Sequence, residues 1–153
     1  MSVAVVKLRS EFLENNEKSA NAASVIKHFA EKGTQPVVVM DEFNINLILE
    51  CVKVGGFATI IDHNCPIVDI AKALSAENIF IIGNEDGLYT ENFGKRFKIK
   101  EITYKKMLEL IEKGENALDS KTVTEAEKAG IEITVMASDE NKGTVVRNYI
   151  SHG

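Results

Sequence analysis

Asn78-Ile79-Phe80-Ile81-Ile82-Gly83-Asn84-Glu85-Asp86-Gly87-Leu88-Tyr89-Thr90 joins an apolar run to a polar turn bracketed by two glycines. The apolar half is short and unbroken, the pattern of a strand buried on both faces of a parallel sheet. Such a strand delivers the loop that follows it to the carboxyl end of the sheet, where open α/β sheets hold their ligands. Gly83 to Tyr89 is therefore the leading candidate for a binding loop.

Strand and helix patterns alternate on either side. Val3 to Leu8 is a β-branched strand, and Glu17 to Lys32 is a helix with Ala22, Val25, Ile26, Phe29 and Ala30 on one face and Gly33 as its stop. Pro36 opens a second strand, Val37 to Met40. Asp41 caps a helix over Phe43 to Val54, with Ile45, Ile48, Leu49 and Val52 inward and Gly55-Gly56 at its end. Phe57 to Ile61 is a third strand. The next helix starts at Asn64 or Cys65, with Pro66 in its first turn and Ile67, Ile70, Ala71 and Leu74 toward the core.

Beyond the loop, the reading is an irregular section, then a short strand Arg96 to Ile99. Thr103 caps a helix from Tyr104 to Lys113, and Asp119 or Ser120 caps another that ends at Gly130. Ile131 to Met136 is a further strand, with Gly143 to Arg147 beside it and a surface turn at Asp139 to Gly143. This order predicts an α/β fold: a three-layer α/β/α sandwich with a mainly parallel sheet, as a single domain over residues 1–153.

With 44% hydrophobic and 27% charged residues and a net charge of −5, the chain reads as soluble and globular, without the basic footprint of a nucleic-acid binder. Its densest basic group, Lys95, Arg96, Lys98 and Lys100, alternates with Phe97 and Ile99, which suits an edge strand with a solvated face. No apolar segment is long enough to span a membrane, and Met1 to Lys7 does not read as a signal peptide. A cytoplasmic protein with Cys51 and Cys65 as reduced thiols is expected.

Several motifs, taken in order, resemble the amino-acid-kinase family, aspartokinases and uridylate kinases in particular. Ala71-Lys72-Ala73-Leu74-Ser75-Ala76-Glu77 is similar to a helix ending A-A-L-G-A-D, and Asp86-Gly87-Leu88-Tyr89-Thr90 to D-G-V-Y-T. Lys100 to Tyr104 with Leu108-Glu109-Leu110 resembles I-S-Y-x-E-x-x-E-L. Gly114 to Val123, Ala126, Gly130-Ile131 and Gly143-Thr144 follow G-A-K-V-L-H-P-R-A-V, A-x-x-x-G-I and G-T. The likeness covers about half the chain.

The resemblance implies a nucleotide site, with ATP and Mg²⁺ as the ligands, built from Gly83, Asn84, Asp86, Gly87, Tyr89 and Asn116, and a catalytic role for Lys7. It also implies a homo-oligomer, for which the Phe43 to Val54 helix is the expected surface. The front half departs from the family. Arg9 and Ser10 stand where K-x-G-G-[ST] has glycines, and side chains there obstruct the close backbone approach to phosphate. Ile61 to Cys65 lacks the glycine pair of G-R-G-G-S-D, so a missing substrate lobe is expected. Gly83-Asn84 replaces T-D, and Asn116 replaces a lysine.

Phosphoryl transfer rests on positioning and on cations that neutralise charge on the transferred group. These losses predict a catalytically weak or inactive relative that binds a nucleotide or a partner. An active kinase for a small carboxylate or phosphate, and a structural oligomerisation module, are the alternatives. Lys7 either meets a phosphate or is a surface lysine at a strand end. In the loop, Asp86 shapes the turn and Tyr89 is placed to stack on a base. Asp62, His63 and Cys65 are too closely spaced for one metal ion, so no metal site is expected.

Overall fold

A computed structural model describes residues 2–8, 16–40, 47, 49, 59–62, 66–83, 86–115, 117–137 and 143–149. The first half comprises β1 (Ser2–Leu8), α1 (Asn16–Glu31), β2 (Thr34–Met40), β3 (Thr59–Asp62), α2 (Ile67–Ala73) and β4 (Asn78–Ile82). The second comprises β5 (Leu88–Asn92), β6 (Lys95–Ile99), β7 (Glu101–Thr103), α3 (Tyr104–Glu112), α4 (Ser120–Ala129), β8 (Glu132–Met136) and β9 (Thr144–Arg147).

Seven strands form one sheet in the order β3-β2-β1-β4-β8-β9-β7, and β5 with β6 forms a separate two-stranded sheet. Every neighbouring pair in the large sheet is parallel except β8 with β9. The central strands are buried on both faces, which is why they read as unbroken apolar runs. Ala4, Val6, Leu8, Val38 and Ile82 pack with Ala22, Ala23, Val25 and Ile26 of α1, and Leu47 joins them. Val5, Val39, Ile79 and Ile81 face the other way, toward Val68 and Ala71 of α2, Met107 of α3 and Val123 of α4. The fold is therefore α/β, with helices on both faces of a mostly parallel sheet.

Two caps act as their sequences predict. The Thr103 hydroxyl accepts from the Lys106 N–H at 3.2 Å, and the Asp119 carboxylate accepts from the Thr122 N–H at 2.9 Å. Pro36 falls within β2 and sits one residue before β3 begins to pair at Val37. Arg147 on β9 donates a hydrogen bond from Nη1 to Glu101 of β7 at 2.9 Å, and its Nε stands 2.8 Å from the Glu132 carboxylate of β8 as an ion pair, so its charge bridges the antiparallel pair to β7.

The structure corrects several local readings. Residues 88–99 form a hairpin rather than an irregular section followed by one strand, with Leu88 opposite Ile99 and Asn92 opposite Lys95. Its turn contains Phe93 at φ 54°, a conformation that phenylalanine rarely signals. Leu47 is 1% exposed and Leu49 is 51% exposed. Positions two apart on a helix point to nearly opposite sides, so Leu49 does not face the core. Leu74 is also exposed, because α2 ends at Ala73 and Leu74 leaves the helical period; Val68 fills the core instead. The remainder of the Phe43 to Val54 segment and most of the Asp139 to Gly143 turn lie outside the described residues.

Candidate functional site

The chain runs from β1 to β2 and β3 on one side, then crosses back to place β4 on the other side of β1. α1 and α2 cover opposite faces of the sheet. This reversal is the topological switch of an open α/β sheet, where adjacent connections diverge and leave a crevice at the strands' carboxyl ends. A cleft of about 550 Å³ lies there. Its apolar wall includes Ile81 of β4, Ile67 of α2 and Leu118, and its charged groups are Lys7 of β1, Glu115 and Asp119.

Lys7 reaches the cleft because alternation along β1 sends it to the same side as Val5, while Val6 and Leu8 point toward α1. Asp119 reaches it as the residue that caps α4. Burial acts most strongly on the Asp119 carboxyl and pushes upward. Hydrogen bonds from Thr122 and the positive charge of Lys7 outweigh it and hold the group below its ordinary value. Glu115 shapes the same loop, accepting from the Ala117 N–H at 3.1 Å.

Of the residues singled out in the sequence, Lys7 lines this cleft. Gly83 ends β4, where its N–H donates to the Met136 carbonyl at 3.0 Å, and a side chain there would meet open space. Asp86, Gly87 and Tyr89 form a second cluster, outside the cleft's lining. The Tyr89 hydroxyl donates to Asp86 Oδ1, and Lys98 Nζ lies 3.5 Å from Asp86 Oδ2. The Tyr89 bond, foremost, and the Lys98 charge hold the Asp86 carboxyl below its ordinary value. Asp86 thus shapes the turn, as its place before Gly87 suggests. The Arg96 guanidinium lies 3.9 Å from the centre of the Tyr89 ring, a cation–π contact.

Gly87 is required by crowding: at φ 154°, a Cβ would stand 2.8 Å from Thr144 Oγ1. Asn84 and Asn116 lie outside the described residues, as do His63 and Cys65. Among the described residues, no group of three or more His, Cys, Asp or Glu side chains is gathered to hold a metal ion. None of their helices is long and apolar enough to cross a membrane.

Sequence reasoning did not place Glu115 in the site, and it read Asp119 only as a cap. The available signals were Asp119's position at a helix start and the motif-like stretch Gly114 to Val123, which contains both residues. Thr144 was read only as half of a G-T pair. Its role depends on a backbone N–H and a carbonyl distant in the chain.

The amino acid kinase family profile matches residues 40–137. None of the curated proteins matches the chain. The aspartate kinase from Synechocystis superposes with a TM-score of 0.81 at 16% identity, over 99% of this chain and 40% of that one. The present chain therefore spans well under half of that relative's length. The uridylate kinase from Archaeoglobus fulgidus gives a TM-score of 0.67 at 15% identity, over 95% of this chain and 100% of the other. The Giardia lamblia carbamate kinase bound to AMP-PNP gives 0.69 at 10% identity, over 97% and 99%. These structural likenesses carry the same α/β architecture that strand order and helix placement give directly. With the profile covering most of the sequence, the chain belongs to the amino acid kinase family.

Proposed function

We propose that this chain binds a nucleotide with Mg²⁺ and that its phosphoryl transfer is weak or lost. The observation that carries the proposal is the placement of Lys7 in a cleft at the carboxyl ends of β1 and β4. The cleft falls within the usual range for small-molecule sites, roughly 300–1,000 Å³. A carbamate kinase of the same fold was solved with AMP-PNP, which supports a nucleotide as the ligand class.

The residues fit a nucleotide better than they fit the demands of rapid chemistry. Lys7 would hold a phosphate oxygen as a point charge. Mg²⁺, when bound, supplies further neutralisation, and Asp119 and Glu115 are the carboxylates near enough in the cleft to favour it. Among the described lining residues, Lys7 is the only cation against those two carboxylates. That balance leaves little positive charge for a migrating phosphoryl group. Arg9, Ser10 and Asn116, in place of two glycines and a lysine, lean the same way. In the second cluster, Asp86 and Tyr89 would border the nucleotide beyond β4. A cytoplasmic location, where nucleotide is plentiful, suits this reading.

Thermal unfolding with and without Mg·ATP tests the proposal. For a Kd near 0.1 mM, millimolar ligand adds roughly 1.4 kcal/mol of stability. That corresponds to a rise of about 3–6 °C for a domain of this size. An unchanged Tm at saturating nucleotide would remove nucleotide binding from the proposal.

A further inference from the structure

We propose, resting on the nucleotide reading above, that Lys98 of β6 is the positioning residue for Asp86 and Tyr89, and that it sets nucleotide affinity without touching the nucleotide.

The chain at Asp86 and Gly87 needs an outside hold. A side chain on Gly83, at the end of β4, would meet nothing, and Gly87 has a backbone conformation that other residues rarely adopt. Glycines on either side give the turn little stiffness of its own. The hairpin beside it is fixed. Leu88 and Ile99 face each other at its base, and the buried Thr144 hydroxyl bonds the backbone of both. Lys98 is the neighbour of Ile99 on β6 and lies opposite Tyr89. Its backbone therefore has a set position relative to β9 and the main sheet.

From there the Lys98 side chain closes over the turn. A Cβ on Gly87 would stand 3.0 Å from Lys98 Cε, so the stem lies close against the glycine. The ammonium ends 3.5 Å from Asp86 Oδ2, while the Tyr89 hydroxyl donates to Oδ1. An ionised carboxylate only accepts, and here each oxygen meets a different donor. The carboxylate and the tyrosine are thereby fixed together. The Arg96 guanidinium, 3.9 Å from the centre of the Tyr89 ring, holds the tyrosine from the same strand as Lys98.

The pair differs from the ion pairs along the helices. Lys27–Glu31 and Lys106–Glu109 lie about one turn apart on a single helix, with side chains 44–67% exposed. Pairs of that kind hold nothing but each other. Lys98 and Asp86 are 27% and 31% exposed and join two separate segments. They connect the groups proposed to border the nucleotide to the strand that Thr144 fastens.

The test is calorimetric titration of Mg·ATP into wild type, Lys98→Met, Lys98→Arg, Asp86→Asn and the double variant Asp86→Asn with Lys98→Met. Lys98→Met keeps the stem and removes the charge. It should weaken binding about fivefold or more. Its Tm should stay within about 3 °C of wild type, because a partly exposed ion pair adds little to global stability. Lys98→Arg keeps the cation and should restore most of the affinity. The double variant should bind no more weakly than Asp86→Asn alone, because Lys98 acts through Asp86. Unchanged affinity in Lys98→Met, or Lys98→Arg as weak as Lys98→Met, would overturn the proposal. So would a Lys98→Met loss that recurs at full size in the Asp86→Asn background, which would make Lys98 a direct phosphate ligand. A loss accompanied by a larger fall in Tm would overturn it too, leaving Lys98 a structural residue only. Wild type that binds no Mg·ATP ends the nucleotide reading and this proposal together, whereas wild type that binds, with Lys98→Met unchanged, ends this proposal alone.

Discussion

The Thr144 hydroxyl accepts a hydrogen bond from the Leu88 N–H at 2.7 Å while donating to the Ile99 carbonyl. Leu88 and Ile99 face each other at the base of the hairpin, so one fully buried side chain on β9 fastens both strands to the main sheet. The backbone beside it is equally constrained. A Cβ on Gly143 would stand 1.7 Å from the Val135 carbonyl oxygen, so only glycine lets the chain approach β8 this closely.

Thr144→Val removes the hydroxyl from a buried N–H and a partly buried carbonyl and should cost about 1–3 kcal/mol. Thr144→Ser keeps both bonds and should cost less. Denaturant titration measures both. Equal losses would mean that the methyl packing, not the hydroxyl, holds the hairpin.

Ser75 has φ 54° where the resembling motif carries glycine. A non-glycine residue in the left-handed region is disfavoured by about 1–2 kcal/mol. Some of that is offset by the greater freedom of glycine in the unfolded chain. Ser75→Gly should therefore raise stability by about 0.5–1 kcal/mol, read as a higher denaturation midpoint at unchanged slope. A lower midpoint would show that the serine side chain makes a compensating contact.

Acid titration probes the Asp86 cluster. The Asp86 carboxyl, ordinarily near 3.8, is lowered in the fold by Tyr89 and Lys98. Its contribution is present above the unfolded value and is lost as pH falls through the folded one. Asp86→Asn should therefore be less stable than wild type at pH near 7, with the gap closing below about pH 4. Tyr89→Phe should shift the wild-type acid limb upward. A gap independent of pH would show that the carboxylate's charge is immaterial to the loop.

Arg147 holds Glu101 and Glu132 at 2.9 and 2.8 Å, all three only partly exposed. Arg147→Met retains much of the side chain's bulk but leaves two carboxylates facing each other. With allowance for solvent screening, a loss of about 1–3 kcal/mol is expected. The triple variant Arg147→Met, Glu101→Gln, Glu132→Gln should recover part of it. No recovery would assign the loss to packing.

The strands and capped helices were legible because their signals are local. Ile79 to Ile82 is an uninterrupted apolar run, and Thr103 and Asp119 cap the helices that follow them. β7 was missed because three residues carry no period, and the hairpin because Phe93 does not announce a turn. Lys7 could be picked out as the cation at a strand's end. The groups that meet it, Glu115 and Asp119, arrive from a loop distant in sequence, and strand order alone brings them together. Asp86 could be read as a turn former because Tyr89 is three residues away, whereas Lys98 comes from across the hairpin.

The direct measurement is a calorimetric titration of Mg·ATP into wild type and Lys7→Ala, paired with an ADP-release assay over small carboxylate and phosphate acceptors. Binding should be saturable in wild type and weakened about tenfold or more in Lys7→Ala, in line with the roughly 1.5–3 kcal/mol of a charge-assisted hydrogen bond. ADP release should stay at or close to background with every acceptor. Unchanged affinity in Lys7→Ala, or acceptor-dependent turnover at the roughly 1–100 per second of ordinary kinases, would contradict a nucleotide site in which chemistry is weak or lost.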